Sequence, residues 1–182
     1  FEYLYKSNFN PLHYSFDYRN SHFVIMYTDE AMTSKPVISK EQLAWLKSDL
    51  QKTDKTNVFI FMHKPIWEYA DSNWNEFHET IKSFPVKAVI GGHFHSYSKS
   101  IKQDGIQYYV IGTTGGEVHT SGSDLTGYFH HYSILSVEDD KFSMAVVKLG
   151  NVESDDYVLV EDYAKIWKII ELSSNKTGIN GW

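Results

Sequence analysis

Two histidines separated by one residue, His93 and His95, stand at the end of a short apolar run in VKAVIGGHFHSY. Neutral imidazoles near pH 7 are nitrogen donors for zinc, manganese or iron, and each is oriented through its other ring nitrogen. Val86, Ala88, Val89 and Ile90 make a run long enough for a buried strand and too short for a helix. Gly91 and Gly92 end it and let the backbone turn sharply. A bare H-x-H also suits a solvated surface loop. A second segment built the same way weighs against that reading: Asn57 to Met62 (NVFIFM) is apolar and ends on His63, followed by Lys64 and Pro65. Three imidazoles delivered at strand ends could hold one zinc-like ion with an open position.

Weaker candidates surround this set. Lys64 could contact a substrate phosphate or be solvated. Tyr97, just after H-x-H, could line a pocket or pack in the core. His119, in a glycine-marked loop, is a candidate for proton transfer. Thr113 to Gly116 (TTGG) could present backbone N–H groups to an anion or form a tight turn. His130 and His131 are adjacent, so on a strand they face opposite ways. His78 sits on an apolar helical stripe and reads as structural, and His13 and His22 as structural or surface residues. Asp29 closes a strand and reads as a loop-capping carboxylate, with a site role as the lesser alternative.

Elements must position these groups. Phe1 to Pro11 reads as an irregular aromatic segment that packs on something. Tyr14, Phe16 and Tyr18 alternate with polar residues, and His22–Thr28 (HFVIMYT) follows a turn, which predicts a hairpin. Ser39-Lys40-Glu41-Gln42 matches a capping box, with Ile38 placed against Leu43, and Leu43, Leu46 and Leu50 predict a helix over 40–51. Trp74, Phe77, His78, Ile81 and Phe84 predict a second amphipathic helix, with Asn73 and Glu76 as its cap. Trp67 and Tyr69, in the loop between, cover core or line a substrate mouth. Asp104-Gly105 predicts a hairpin between Ser98–Gln103 and Ile106–Thr113, and Asp139-Asp140 a turn between strands over 130–137 and 141–149. Val158 and Val160 suggest one more strand, and Tyr163, Ile166, Trp167 and Ile170 a short closing helix.

The order gives an α/β (α+β) chain with a β-rich second half, whose parallel strands aim histidines at one sheet edge, where ligands of such sheets bind. The expected division is 1–150 for the principal domain and 151–182 for a strand and helix extension. With 182 residues, 42% hydrophobic and 16% aromatic, the chain can bury a core. A formal charge of −6 without a Lys/Arg run excludes an extended nucleic-acid surface. No apolar stretch is long enough to span a membrane. Zero cysteines exclude thiolate ligands and leave the compartment undecided.

Gly92-His93-Phe94-His95 resembles the G-H-x-H motif of the calcineurin-like metallophosphoesterases. Met62-His63-Lys64-Pro65 is similar to that family's single histidine after a strand. Tyr14 to Tyr18, the HFVIMYT strand and Gln42 to Leu46 resemble its middle section, nearest to the purple-acid-phosphatase-like and related bacterial branches. The resemblance covers roughly 14–116 and implies the C-terminal portion of a four-layer α/β/β/α sandwich. It further implies a dinuclear centre of two divalent or trivalent ions (Mn, Fe or Zn), with His63 and His93 on one ion and His95 on the other. In such enzymes a metal-bridging hydroxide attacks phosphorus in line. The implied substrate is a phosphorylated small molecule or a phosphodiester. The branch leans to a periplasmic or secreted location, with the cytoplasm left open.

The family's D-x-H, G-D-x-x-D and G-N-H motifs, which supply a bridging aspartate and an asparagine ligand, occur nowhere in this sequence. The expectation is therefore a fragment with Phe1 inside a longer protein, holding one ion or none, and with little or no phosphoesterase activity alone. Its partners would be the missing N-terminal half or a self-associating copy. A degenerate, non-catalytic binding module of the same fold is the alternative. A carbohydrate-binding β-domain, suggested by 13 Tyr and 5 Trp, is a third reading, which needs exposed coplanar rings.

Overall fold

The computed structural model describes residues 2–9, 11–30, 36–119 and 122–158. Their elements are α1 (Glu2–Phe9), β1 (Tyr14–Tyr18), β2 (Ser21–Met26), α2 (Lys40–Leu50), β3 (Asn57–Met62), α3 (Trp74–Ile81), β4 (Val86–Gly91), β5 (Ser98–Gln103), β6 (Ile106–Val110), β7 (His131–Glu138), β8 (Lys141–Lys148) and β9 (Asn151–Ser154). Short 3-10 turns lie at Ile66–Glu68 and Asp124–Thr126.

A six-stranded sheet runs β1-β2-β3-β4-β6-β5, with β2, β3, β4 and β6 mutually parallel and β1 and β5 antiparallel at the edges. Alternation along its strands makes two apolar faces. Val24, Met26, Val58, Ile60, Val89 and Tyr108 face α2 and α3, whose Leu43, Leu46, Leu50, Phe77 and Ile81 close the main core. On the other side Phe59, Ala88, Ile90 and Tyr109 meet Met144, Leu135, Val137 and Phe142 from a three-stranded sheet, β7-β8-β9. The described residues thus build three layers, helix, sheet and sheet. The mixed α/β architecture and β-rich second half agree with the sequence reading. Side chains bind the two sheets as well: Asn20 and Asn57 both donate to the carbonyl of Asp139, at 2.6 and 2.7 Å.

Local rules held at most turns. Asp104 and Gly105 both take positive φ (48° and 84°), as a two-residue hairpin requires. Ser39 Oγ accepts the Gln42 N–H at 3.1 Å and starts α2. The reciprocal half of the predicted capping box is absent, because the Gln42 carboxamide instead bridges both main-chain groups of Tyr27 at 2.8 and 2.9 Å. Asn73 likewise makes no cap and pairs with both main-chain groups of Ile38. These carboxamides, Gln42 buried and Asn73 half-buried, satisfy loop backbone groups that no ladder reaches.

Three expectations need correction. The segment before Pro11 is helical as α1 rather than irregular, and none of its residues is buried. Pairs at i,i+4 favour that helix: Glu2 with Lys6 at 3.7 Å, and Tyr5 with Phe9 at 5.3 Å between rings. The second helix ends at Ile81, three residues before Phe84. The polar strand β9 was not foreseen; Val158 lies in a bend beyond it, buried, and not on a strand. Val160 and the closing helix lie outside the described residues.

Candidate metal centre

β3 and β4 are adjacent and parallel, so His63 and His93, which follow them, emerge at the same sheet edge. The two loops are tied by backbone: Gly92 N–H donates to the His63 carbonyl at 2.8 Å, and Ile111 N–H to that of Gly91 at 2.8 Å. Gly91 makes the close approach possible, since a Cβ there would stand 2.9 Å from Pro65 Cβ and 3.0 Å from the Trp67 ring. Beyond it His93 and His95 adopt left-handed backbone, φ 70° and 53°. That conformation costs a non-glycine residue about 1–2 kcal/mol and clusters at functional sites.

His93 Nδ1 lies 3.2 Å from His63 Nε2, with the rings nearly perpendicular at 81°. Two nitrogens each about 2.0–2.1 Å from one tetrahedral ion stand about 3.3 Å apart. The pair therefore has the spacing of two ligands on one metal, and both imidazoles are exposed at the edge. Partial burial, followed by the neighbouring His63, Lys64 and His95, pushes the His93 pKa below its usual value against the opposing charge of Asp29. This favours the neutral, ligating form.

His95 is turned toward the 113–117 loop, where its Nδ1–H donates to the Glu117 carbonyl at 2.5 Å. That bond leaves Nε2 with the lone pair, the arrangement by which metal-binding histidines are commonly oriented. Among the described residues, no group of three or more His, Asp or Glu side chains is arranged to hold a metal ion. The residues present fit one ion through His63 and His93. Among the described residues no carboxylate is grouped with them to bridge two ions, and Asp29, at the same edge, is paired with Lys64.

The other candidates scatter. Lys64 Nζ pairs with Asp29 Oδ1 at 2.5 Å, and its N–H donates to Thr28 Oγ1, so its charge is met from within the chain. Tyr97 is fully buried against Phe129 and His131, and its hydroxyl donates to the Asp155 carbonyl at 2.6 Å. It packs in the core and does not line the exposed edge. His119 is exposed in its loop with its ring 6.0 Å from Tyr128. The Gly115 and Gly116 N–H groups both donate to Thr113 Oγ1, so the TTGG loop is closed on itself.

Three further histidines, His22, His78 and His131, are buried. His78 is buried between the Tyr108 hydroxyl (2.6 Å) and Asp104 (2.9 Å). His22 is buried with a carboxylate at each ring nitrogen, Asp17 at 2.6 Å and Asp49 at 2.9 Å. His131, the first residue of β7, is buried, while His130 precedes the strand and is exposed.

Two groups at the edge carried weak signals in the sequence. Asp29, read first as a loop cap, follows the strand that pairs in parallel with β3, and its charge acts on Lys64 and His93. Tyr69 and Phe94 stack beside His93, whereas Trp67 covers the core against Tyr108. The carboxyl ends of neighbouring parallel strands were the signal that could have found Asp29.

No family model matches the chain. Purple acid phosphatase 23 of Arabidopsis thaliana is 34% identical over 145 residues, covering 68% of this chain and 30% of that protein. The chain thus spans about three tenths of the length of the curated relative it matches. The fold is similar to that of purple acid phosphatase PPD1 from yellow lupin (Lupinus luteus) seeds, with a TM-score of 0.58 and 15% identity over 80% of this chain and 32% of that one. A dimetal phosphatase from Danio rerio is similar to the same degree, TM-score 0.58 and 15% identity, over 83% of this chain and 66% of that one.

Proposed function

We propose that this chain, a homologue of the purple acid phosphatases with the fold of the calcineurin-like metallophosphoesterase family, contributes part of a dinuclear centre for phosphoester hydrolysis. The observation that carries the reading is the 3.2 Å approach of His63 and His93 at the carboxyl ends of adjacent parallel strands. His63 and His93 would hold one ion and His95 the other. Ions bound there supply positive charge against the phosphoryl oxygens. The chain's own contribution is to hold neutral nitrogens at an exposed edge, with the Glu117 carbonyl fixing the proton of His95 on Nδ1. Lys64, locked to Asp29, would assist a substrate phosphate only by exchanging that partner, and His119 would act only from its loop.

The same reading makes the chain a portion of a longer phosphatase, with little or no turnover alone and weak metal affinity. Three imidazoles cannot replace the carboxylate bridge that holds two cations close together, and the motifs that supply it are not in this sequence. Calorimetric titration with Mn(II) and Zn(II), together with turnover of p-nitrophenyl phosphate and its bis-ester, tests this. At most one weakly held ion and negligible turnover are expected. Micromolar binding of two ions with brisk turnover would overturn the fragment reading. A parent protein with the upstream motifs degraded would leave the fold as a binding module instead.

A further inference from the structure

Building on the assignment of His63 and His93 as a metal pair, we propose that Tyr69 and Phe94 form a platform for the planar aromatic part of a phosphoester, an aryl group or a nucleobase. Phe94 lies between the left-handed His93 and His95, in a turn closed by its N–H on the Gly92 carbonyl at 2.8 Å. The residue is 38% exposed. A phenylalanine gains most by burial, and here the turn holds one at the mouth of the site.

Tyr69 backs that ring. The two stack with centroids 5.6 Å apart and planes within 24°. Tyr69 is half-buried and follows the 3-10 turn Ile66–Glu68, its N–H bonded to the Ile66 carbonyl. Both rings border the same imidazole: Phe94 lies 5.5 Å and Tyr69 6.4 Å from the His93 ring. The platform is therefore carried on the two loops that carry the candidate ligands, and the Gly92–His63 backbone bond fixes it against them. A stacked pair so held is ordered before any ligand arrives, which lowers the entropy cost of binding. An ester whose phosphoryl group sat at the histidines would place its alcohol portion along this rim. An aromatic face rewards a flat ring there more than a flexible polyol.

The test uses the whole 182-residue chain with saturating Mn(II) and ligand-observed NMR. The probes are inorganic phosphate, glycerol 3-phosphate, phenyl phosphate and adenosine 5′-phosphate. At least one aromatic ester is expected to bind about tenfold more tightly than glycerol 3-phosphate. Phe94→Leu, which keeps bulk and removes the ring, is expected to abolish that advantage, and Phe94→Tyr to restore it. An advantage for phenyl phosphate alone assigns an aryl ester, and for the nucleotide alone a nucleobase. Equal binding of all esters, or an advantage that survives Phe94→Leu, overturns the platform while leaving the metal pair standing. Failure of every probe, inorganic phosphate included, overturns the platform, whereas the metal pair falls only if the chain gives no calorimetric Zn(II) signal.

Discussion

The main-chain N–H of Gly92 donates to the carbonyl of His63 at 2.8 Å, so the two loops that carry facing imidazoles are joined by backbone. The spacing of the two loops is consequently set by strand pairing and by this backbone bond. Removing one imidazole should leave the fold and abolish ion binding. His63→Ala and His93→Ala are each expected to eliminate the calorimetric Zn(II) signal, with thermal unfolding changed little because both residues are exposed. Retention of binding by both variants would refute the pair.

The junction depends on Gly91. In Gly91→Ala the new methyl would meet Pro65 Cβ at 2.9 Å, Pro65 Cα at 3.0 Å and the Trp67 ring at 3.0 Å. Overpacking of this kind costs about 1–3 kcal/mol. Denaturant unfolding should show that loss, accompanied by weaker Zn(II) binding because the histidine loops are pushed apart. An unchanged unfolding midpoint would mean the loops yield freely.

His131 predicts a pH dependence. It is buried, accepts the Gly112 N–H on Nε2 at 3.1 Å and donates from Nδ1 to the Phe129 carbonyl at 3.0 Å, an arrangement that requires the neutral ring. Burial pushes its pKa below the usual 6.5, joined by the nearby His130 and Lys148 and opposed by the Phe129 bond. A group with a lowered folded-state pKa contributes stability in full above its unfolded value and loses it as pH falls through the folded one. Thermal stability should therefore decline on acidification below about pH 6.5. In His131→Gln that decline should be shallower, and a parallel decline in the two proteins would discount His131. The substitution itself should cost about 1–3 kcal/mol if the Gly112 amide is left without an acceptor.

A fourth expectation concerns the sheet face beside β1. Phe16, Phe23 and Phe59 are direct cross-strand partners and stack at 5.1 and 5.7 Å, yet Phe16 remains 49% exposed. The three-stranded sheet covers Phe59 and leaves this end of the face open. Exposed apolar faces of this type favour association. Sedimentation should show concentration-dependent self-association that Phe16→Lys reduces, with unfolding free energy shifted by no more than about 0.5 kcal/mol. A monomer at all concentrations would show that the face needs no cover.

Much of the candidate site was legible because its rules are local. NVFIFM and VKAVI are apolar runs of strand length, and glycines and a proline mark where they stop. H-x-H and the lone His63 could be read from spacing alone. The Asp104-Gly105 hairpin and the Ser39 start of α2 follow from backbone chirality and from unsatisfied helix donors, which act within a few residues.

Other features depend on contacts between distant residues. The pattern of β5 and β6 predicts a hairpin, but not that β6 crosses to pair in parallel with β4 and leaves β5 at the edge. Gln42 and Asn73 look like caps in sequence, and each went to loop main chain, at Tyr27 and Ile38. Asp29 became a neighbour of the histidines only because β2 lies beside β3, and the rings of Tyr69 and Phe94 met only because two loops were tied together. By itself the sequence determined that NVFIFM and VKAVI form strands, where they end and which imidazoles stand at those ends, since periodicity and turn chemistry are properties of neighbouring residues. The tertiary structure alone decided which carboxylate and which rings share that edge. Alternation records which face a residue occupies and carries no record of which strand lies next to it.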